Sequence, residues 1–109
     1  MPPEDRVRLL HMIEAADNAM GFVAGYTPTA LAQDRKTLFA VIRCIEIVGE
    51  AAAKVSEATR AKAPDIPWGA IVGMRNRLVH AYFDVDTDLV WKTISIEIPA
   101  LKQRLQDLI

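Results

Sequence analysis

The 109-residue sequence predicts an all-α protein, a bundle of four main helices forming one domain over residues 1–109. Apolar residues recur at spacings of three and four through long segments, and no run alternates with period two for long enough to make a convincing strand. With 51% hydrophobic and 25% charged residues, the chain can bury one modest core and is neither disordered nor low in complexity.

The first helix is expected from about Pro3 to Val23, where Val7, Leu10, Ile13 and Met20 fall mostly on one face, with Arg6, Glu14 and Asn18 elsewhere. Gly25 and Thr27-Pro28 then mark the first connection. The second helix begins near Asp34 and runs to about Ala63, with Leu38, Val41, Ile42, Ile45, Val48, Ala52 and Val55 as a broad apolar stripe. Gly49, flanked by Ala51 to Ala53, leaves a smooth surface that another helix could approach closely. A mid-helix glycine costs about 1 kcal/mol relative to alanine, so a packing reason is expected there.

Pro67 suits the first turn of a third helix, spanning Trp68 to about Tyr82. In the last helix Trp91, Ile94, Ile98, Leu101 and Leu105 form the packing seam. Asp86 or Thr87 can cap its start, and Asp88 favours its positive end. Pro99 falls inside this pattern and should kink the helix, because the ring clashes one turn back. The segment DLVWKTISIEI, rich in β-branched residues, is the weakest helix of the set.

Charge and cysteine content narrow the function. A formal net charge of −1 gives no global attraction to nucleic acid, so such binding needs a local patch. The lone Cys44, set among Val41, Ile42 and Ile45, reads as a buried, inert thiol of a reducing cytoplasm. Arg43, Glu46 and Glu50 interrupt the most apolar run, and no signal-like stretch follows the charged N-terminus, so neither a membrane span nor an export signal is expected.

The stretch MRNRLVHAYFDVD, residues 74–86, carries the chemistry. On a continuous helix Arg75 and Tyr82, seven apart, share a stripe, while Asn76 and His80, four apart, share another. Arg75 and His80 would then lie about 140° apart around the axis, so one straight helix would not bring them to a single reacting atom. A two-fold homodimer would, by setting Arg75 of one chain near His80 of the other. Arg77 adds positive charge at the edge, and WGAIVGMRNRLVH contains no acidic residue. Arginine clamps phosphate oxygens, imidazole exchanges a proton with a hydroxyl at neutral pH, and RNA supplies its own 2′-OH nucleophile, so the set suggests phosphodiester cleavage. Asn76 could orient the histidine or hold a phosphate oxygen.

Other candidates read as structural. Glu46 and Glu50 are set to pair with Arg43 or with an arginine of the third helix. DVDTD is a helix cap rather than a calcium loop, since it lacks the later glycine and glutamate. His11 is a partly exposed helix residue, and Trp68 and Trp91 belong to the core or a dimer interface.

With IEIVGEAA on the second helix, IPWGAIVGMRNRLVHAYFDVD on the third, and VW followed by IPAL on the last, the sequence resembles the HepT-like branch of the HEPN (higher eukaryotes and prokaryotes nucleotide-binding) proteins. The resemblance implies a HEPN-like, two-fold homodimer acting as a metal-independent endoribonuclease toxin without a cofactor, paired with a minimal nucleotidyltransferase antitoxin. By this likeness Arg75 and His80 are catalytic, Asn76 is their polar support, Arg75 and Arg77 bind RNA, and Tyr82 matches the tyrosine that the antitoxin modifies with AMP. A second function class stays open: a non-catalytic helical module that binds a nucleotide or docks a nucleotidyltransferase. The presence of both Arg75 and His80 favours the enzyme, because a pure binding module needs no proton-transfer group.

Overall fold

The computed structural model describes residues 1–82 and 84–109. Its two longest helices, α1 (Pro3–Phe22) and α3 (Arg35–Ala53), pack along each other, and α8 (Ile98–Leu108) lies against α1. Every member of the expected stripe on α3 is buried, together with Val55 just beyond its end. No helix among the described residues is long and apolar enough to cross a membrane.

The buried face of α1 differs from the expected one. Leu9, Met12, Ala15, Ala16 and Ala19 are buried, whereas Val7 and Leu10 are exposed and Ile13 and Met20 only half-buried. The alanines decide this, because small side chains let α1 approach α3 closely along its whole length. At the start of α1, Asp5 is buried too: its carboxylate accepts hydrogen bonds from the backbone N–H and hydroxyl of Ser56 and from the hydroxyl of Thr59.

Those bonds accompany a second difference. The second helix stops at Ala53 rather than near Ala63, and Ser56 opens a separate short helix, α4 (Glu57–Ala61), as its N-cap. Arg60 turns back onto the end of α3, donating to the carbonyls of Ala52 and Val55. Likewise Thr27-Pro28 starts a short helix, α2 (Pro28–Gln33), instead of a plain turn; Thr27 caps it by accepting from the Ala30 N–H. Asp34 caps α3 through the N–H of Thr37.

The expected third helix is not continuous. It breaks at Gly73 into α5 (Trp68–Val72) and α6 (Met74–Leu78), each little more than one turn. From Val79 the backbone is extended, and β1 (Val79–Ala81) pairs antiparallel with β2 (Asp84–Val85). The Asp86 N–H donates to the Leu78 carbonyl and closes the base of this hairpin. The chain is therefore mostly helical with one small two-stranded sheet, and the helical stripes expected for His80 and Tyr82 do not form. Val79 is β-branched and finds a strand partner in Val85, which outweighs one more helical turn.

Gly49 has the anticipated packing reason: a Cβ there would lie 3.0 Å from the carbonyl oxygen of Ile71 and 3.2 Å from that of Val72. Helix α5 can rest on α3 only because that atom is missing. Trp68 is buried in the same corner, its indole N–H donating to the Ala63 carbonyl, and Trp91 is half-buried against the core. Cys44 is buried, which pushes its thiol pKa up.

After the hairpin, Asp86 caps α7 (Thr87–Lys92) by accepting from the Leu89 N–H, so DVDTD serves as a helix start. A π turn, Thr93–Glu97, lies between α7 and α8, just ahead of Pro99 in the first turn of α8. The hydroxyls of Thr93 and Ser95 donate back to the carbonyls of Leu89 and Trp91. Ile94, Ile98, Leu101 and Leu105 are buried as the seam requires.

Candidate active site

Arg75, the second residue of α6, faces α3. Its Nε lies 3.4 Å from Oε2 of Glu46, and one terminal nitrogen is 3.5 Å from the side-chain oxygen of Asn76. The Nε–Glu46 contact is an ion pair without hydrogen-bond alignment, so this buried N–H is left without an acceptor among the described residues. Glu46 is shared, because Arg43 pairs with both Glu46 and Glu50. The two glutamates thus have the arginine partners foreseen for them, one on their own helix and one on α6. Arg43 is held more firmly protonated than usual, first by its hydrogen bond to Glu46 and then by the charge of Glu50.

The Arg75–Glu46 pair stands between two concavities. On one side a cavity of about 200 Å³ is lined by Phe39, Arg43, Val79, Tyr82 and Val85 as well as the pair itself. On the other, a larger one of about 300 Å³ is lined by Gly49, Glu50, Ala53, Val72 and Asn76. Arg75 and Tyr82 border the same cavity, but the hairpin brings them there and not the expected helical stripe. Tyr82 is 90% exposed.

His80 lines neither concavity. Pairing of Val79 with Val85 and of Ala81 with Asp84 leaves His80 as the extra residue of a β-bulge, exposed while Val79 beside it is buried. Bulges re-aim a side chain and are common next to active sites. Asn76 and His80 are not stacked on one stripe as a helix would place them. Nor does Arg77 join Arg75: two residues on, it points to the opposite side of α6 and borders a cavity against α8. His11 is exposed on α1, away from these residues. Among the described residues no group of three or more His, Cys, Asp and Glu side chains is placed to hold a metal ion.

The sequence points Glu46 to Arg43 or to an arginine of the third helix without distinguishing Arg75 from Arg77, and the structure pairs it with Arg75. The signal was available in part, since Glu46 and Gly49 lie on neighbouring turns of α3 and the packing expected at Gly49 brings the third helix to that face.

Fold and site define a small, mostly helical protein with a solvent-facing cluster of paired arginines and glutamates where α3, α6 and a short hairpin meet. Residues 12–108 match the model of the ribonuclease HepT-like family, and the chain belongs to that family. It is 45% identical over 75 residues to "Probable ribonuclease HepT" of Thermococcus cleftensis, covering 69% of this chain and 68% of that protein. "Putative RNase MJ1216" of Methanocaldococcus jannaschii is 34% identical, with 100% and 91% of the two chains covered. "Putative RNase TTE0752" of Caldanaerobacter subterraneus is 32% identical over 95% and 93%. No solved structure matches the chain significantly.

Proposed function

We propose that the protein is a metal-independent endoribonuclease that cleaves RNA by attack of a 2′-OH on the adjacent phosphate, at a site built from Arg75, Asn76 and His80. The observation that carries this reading is the half-buried guanidinium of Arg75, held through its Nε by Glu46 at the junction of two concavities, with Asn76 beside one of its terminal nitrogens. Membership of a ribonuclease family and relatives named as ribonucleases support the same reading.

In the reaction, the 2′-oxygen forms a bond to phosphorus and the bond from phosphorus to the 5′-oxygen breaks. The 2′-OH proton leaves to a base, and the 5′-oxygen gains a proton as it departs, so the products are a 2′,3′-cyclic phosphate and a 5′-hydroxyl. Arg75 stabilises the charge that grows on the non-bridging oxygens, and Asn76 holds the guanidinium or an oxygen beside it. His80 exchanges the proton. Because His80 is exposed on a bulge outside the concavities beside Arg75, the working site is a composite: two chains related by a two-fold axis bring His80 of each to Arg75 of the other. Exposed Phe39 and Val72 flank Arg75 and supply apolar contact for such a homodimer.

The protein acts as the toxin of a toxin–antitoxin pair, neutralised by a nucleotidyltransferase that attaches AMP to Tyr82. The exposure of that side chain and its position on the cavity beside Arg75 support this. The test of the catalytic reading is cleavage of RNA by purified protein in the presence of a chelator. Wild type should leave 2′,3′-cyclic phosphate ends, and Arg75→Ala and His80→Ala should each lose activity by about a hundredfold or more. Full activity in His80→Ala would remove the proposed role.

A further inference from the structure

We propose that the apolar slot between α5, α6 and α8 is a base-binding subsite that takes a guanine of the RNA strand, read by Arg77 and Glu97. The inference rests on the ribonuclease reading above and adds the base that the substrate presents. The slot has a volume of about 330 Å³, and Pro67, Ile71, Met74, Ile98 and Leu101 make its walls. It is of a size to take a flat, largely apolar group.

Four charged side chains border it, and they fall into two classes. Asp65 and Arg104 are already committed to each other through two hydrogen bonds, and Arg104 also reaches Asp107. Arg77 and Glu97 border the same slot, yet neither makes an ion pair or hydrogen bond with any described residue, including each other. An unengaged cation and an unengaged anion thus converge on an apolar opening.

The π turn is a second, independent observation. Glu97 is its last residue, and Ala100, Leu101 and Arg104 follow it along the wall of the slot. A π turn inserts one residue into the helical register and so swings the face that follows by about 100°. Such turns are frequent at functional sites, and here the turn fixes which side chains of α8 look toward α6.

Guanine matches this pair better than the other bases. Its O6 and N7 are adjacent acceptors for the fork of one arginine, and its N1–H and 2-amino group are parallel donors for one carboxylate. Adenine and uracil lack both of those pairs, and cytosine lacks the donor pair. Bases of single-stranded RNA are read in this way, splayed out and held on their edges. The position also fits a strand: Arg75 and Arg77 project from opposite sides of the one-turn helix α6, so a strand whose phosphate rests on Arg75 can cross α6 and place a neighbouring base in the slot.

The test is an NMR titration of labelled protein with GMP, AMP, CMP and UMP. GMP should shift the methyl signals of Met74, Ile98 and Leu101, with the other three nucleotides about tenfold weaker or more. Ala100→Phe, an exposed position on the rim, should block the slot and abolish these shifts. Glu97→Gln should reduce the preference for GMP over AMP by about tenfold, and reduce by a similar factor the ratio of cleavage beside guanine to cleavage beside adenine. Equal response to all four nucleotides, shifts confined to the face of Arg75, or filling of the slot by an apolar amino acid in place of GMP would overturn the assignment. GMP binding in the slot of a protein that does not cut RNA would count against the ribonuclease reading and leave the subsite standing.

Discussion

Glu46 on α3 holds the guanidinium of Arg75 on α6, Nε to Oε2 at 3.4 Å, and so ties the candidate catalytic arginine to the most deeply packed helix of the protein. Both side chains are more than a quarter exposed, so the pair itself adds little stability, about 0–1 kcal/mol. Its effect is on geometry. Glu46→Gln should leave the melting temperature almost unchanged while lowering kcat on RNA by about ten- to a hundredfold, since a misplaced charge-stabilising group costs that much. Steady-state kinetics beside a thermal melt checks this; a raised KM with unchanged kcat would assign Glu46 to binding instead.

His80 is the extra residue of the bulge in β1 and lines neither concavity next to Arg75. If the site is shared across a two-fold axis, inactive Arg75→Ala and inactive His80→Ala chains mixed in equal amounts and refolded together should recover about a quarter of wild-type activity, from heterodimers with one intact cleft. Sedimentation of wild type should show a dimer. A monomer that still cuts RNA excludes the composite site.

Tyr82 borders the cavity beside Arg75 and is 90% exposed, open to a modifying enzyme. An attached AMP carries a phosphodiester with a negative charge to that cavity, where it competes for Arg75 and repels the RNA backbone. Modified protein should be inactive, and Tyr82→Phe should cleave RNA while escaping inactivation by the partner nucleotidyltransferase with ATP. Intact-mass measurement decides the matter: the AMP increment should appear in wild type and be absent from Tyr82→Phe.

Asp5 joins the first turn of α1 to the cap of α4. The hydrogen bonds from Ser56 and Thr59 hold its carboxyl below its ordinary pKa of 3.8. A depressed folded-state pKa contributes stability that is fully present above the unfolded value and lost as pH falls through the folded one. Thermal stability should therefore drop on acidification below about pH 4, and Asp5→Asn should be less stable at neutral pH with a flatter acid dependence. Melting curves across the acid range check the slope; an unchanged slope in Asp5→Asn would place the acid sensitivity elsewhere.

The mainly helical class, the buried stripe of α3, the seam of α8, the close approach at Gly49 and the cap at Asp86 were all legible in the sequence. Each depends on residues within a few turns of one another, or on a single atom whose absence a glycine announces. The residues of the candidate site were legible as a set for the same reason: Arg75, Asn76, His80 and Tyr82 lie within eight positions. Their arrangement was not. Whether Val79 continued a helix or paired with Val85, whether α1 buried Leu10 or Leu9, and which sides of α6 received Arg75 and Arg77 were decided by contacts with α1, α3 and α8, far away in sequence. Local propensities differ by about a kilocalorie per mole or less, so one buried valine or a row of close-packed alanines is enough to override them.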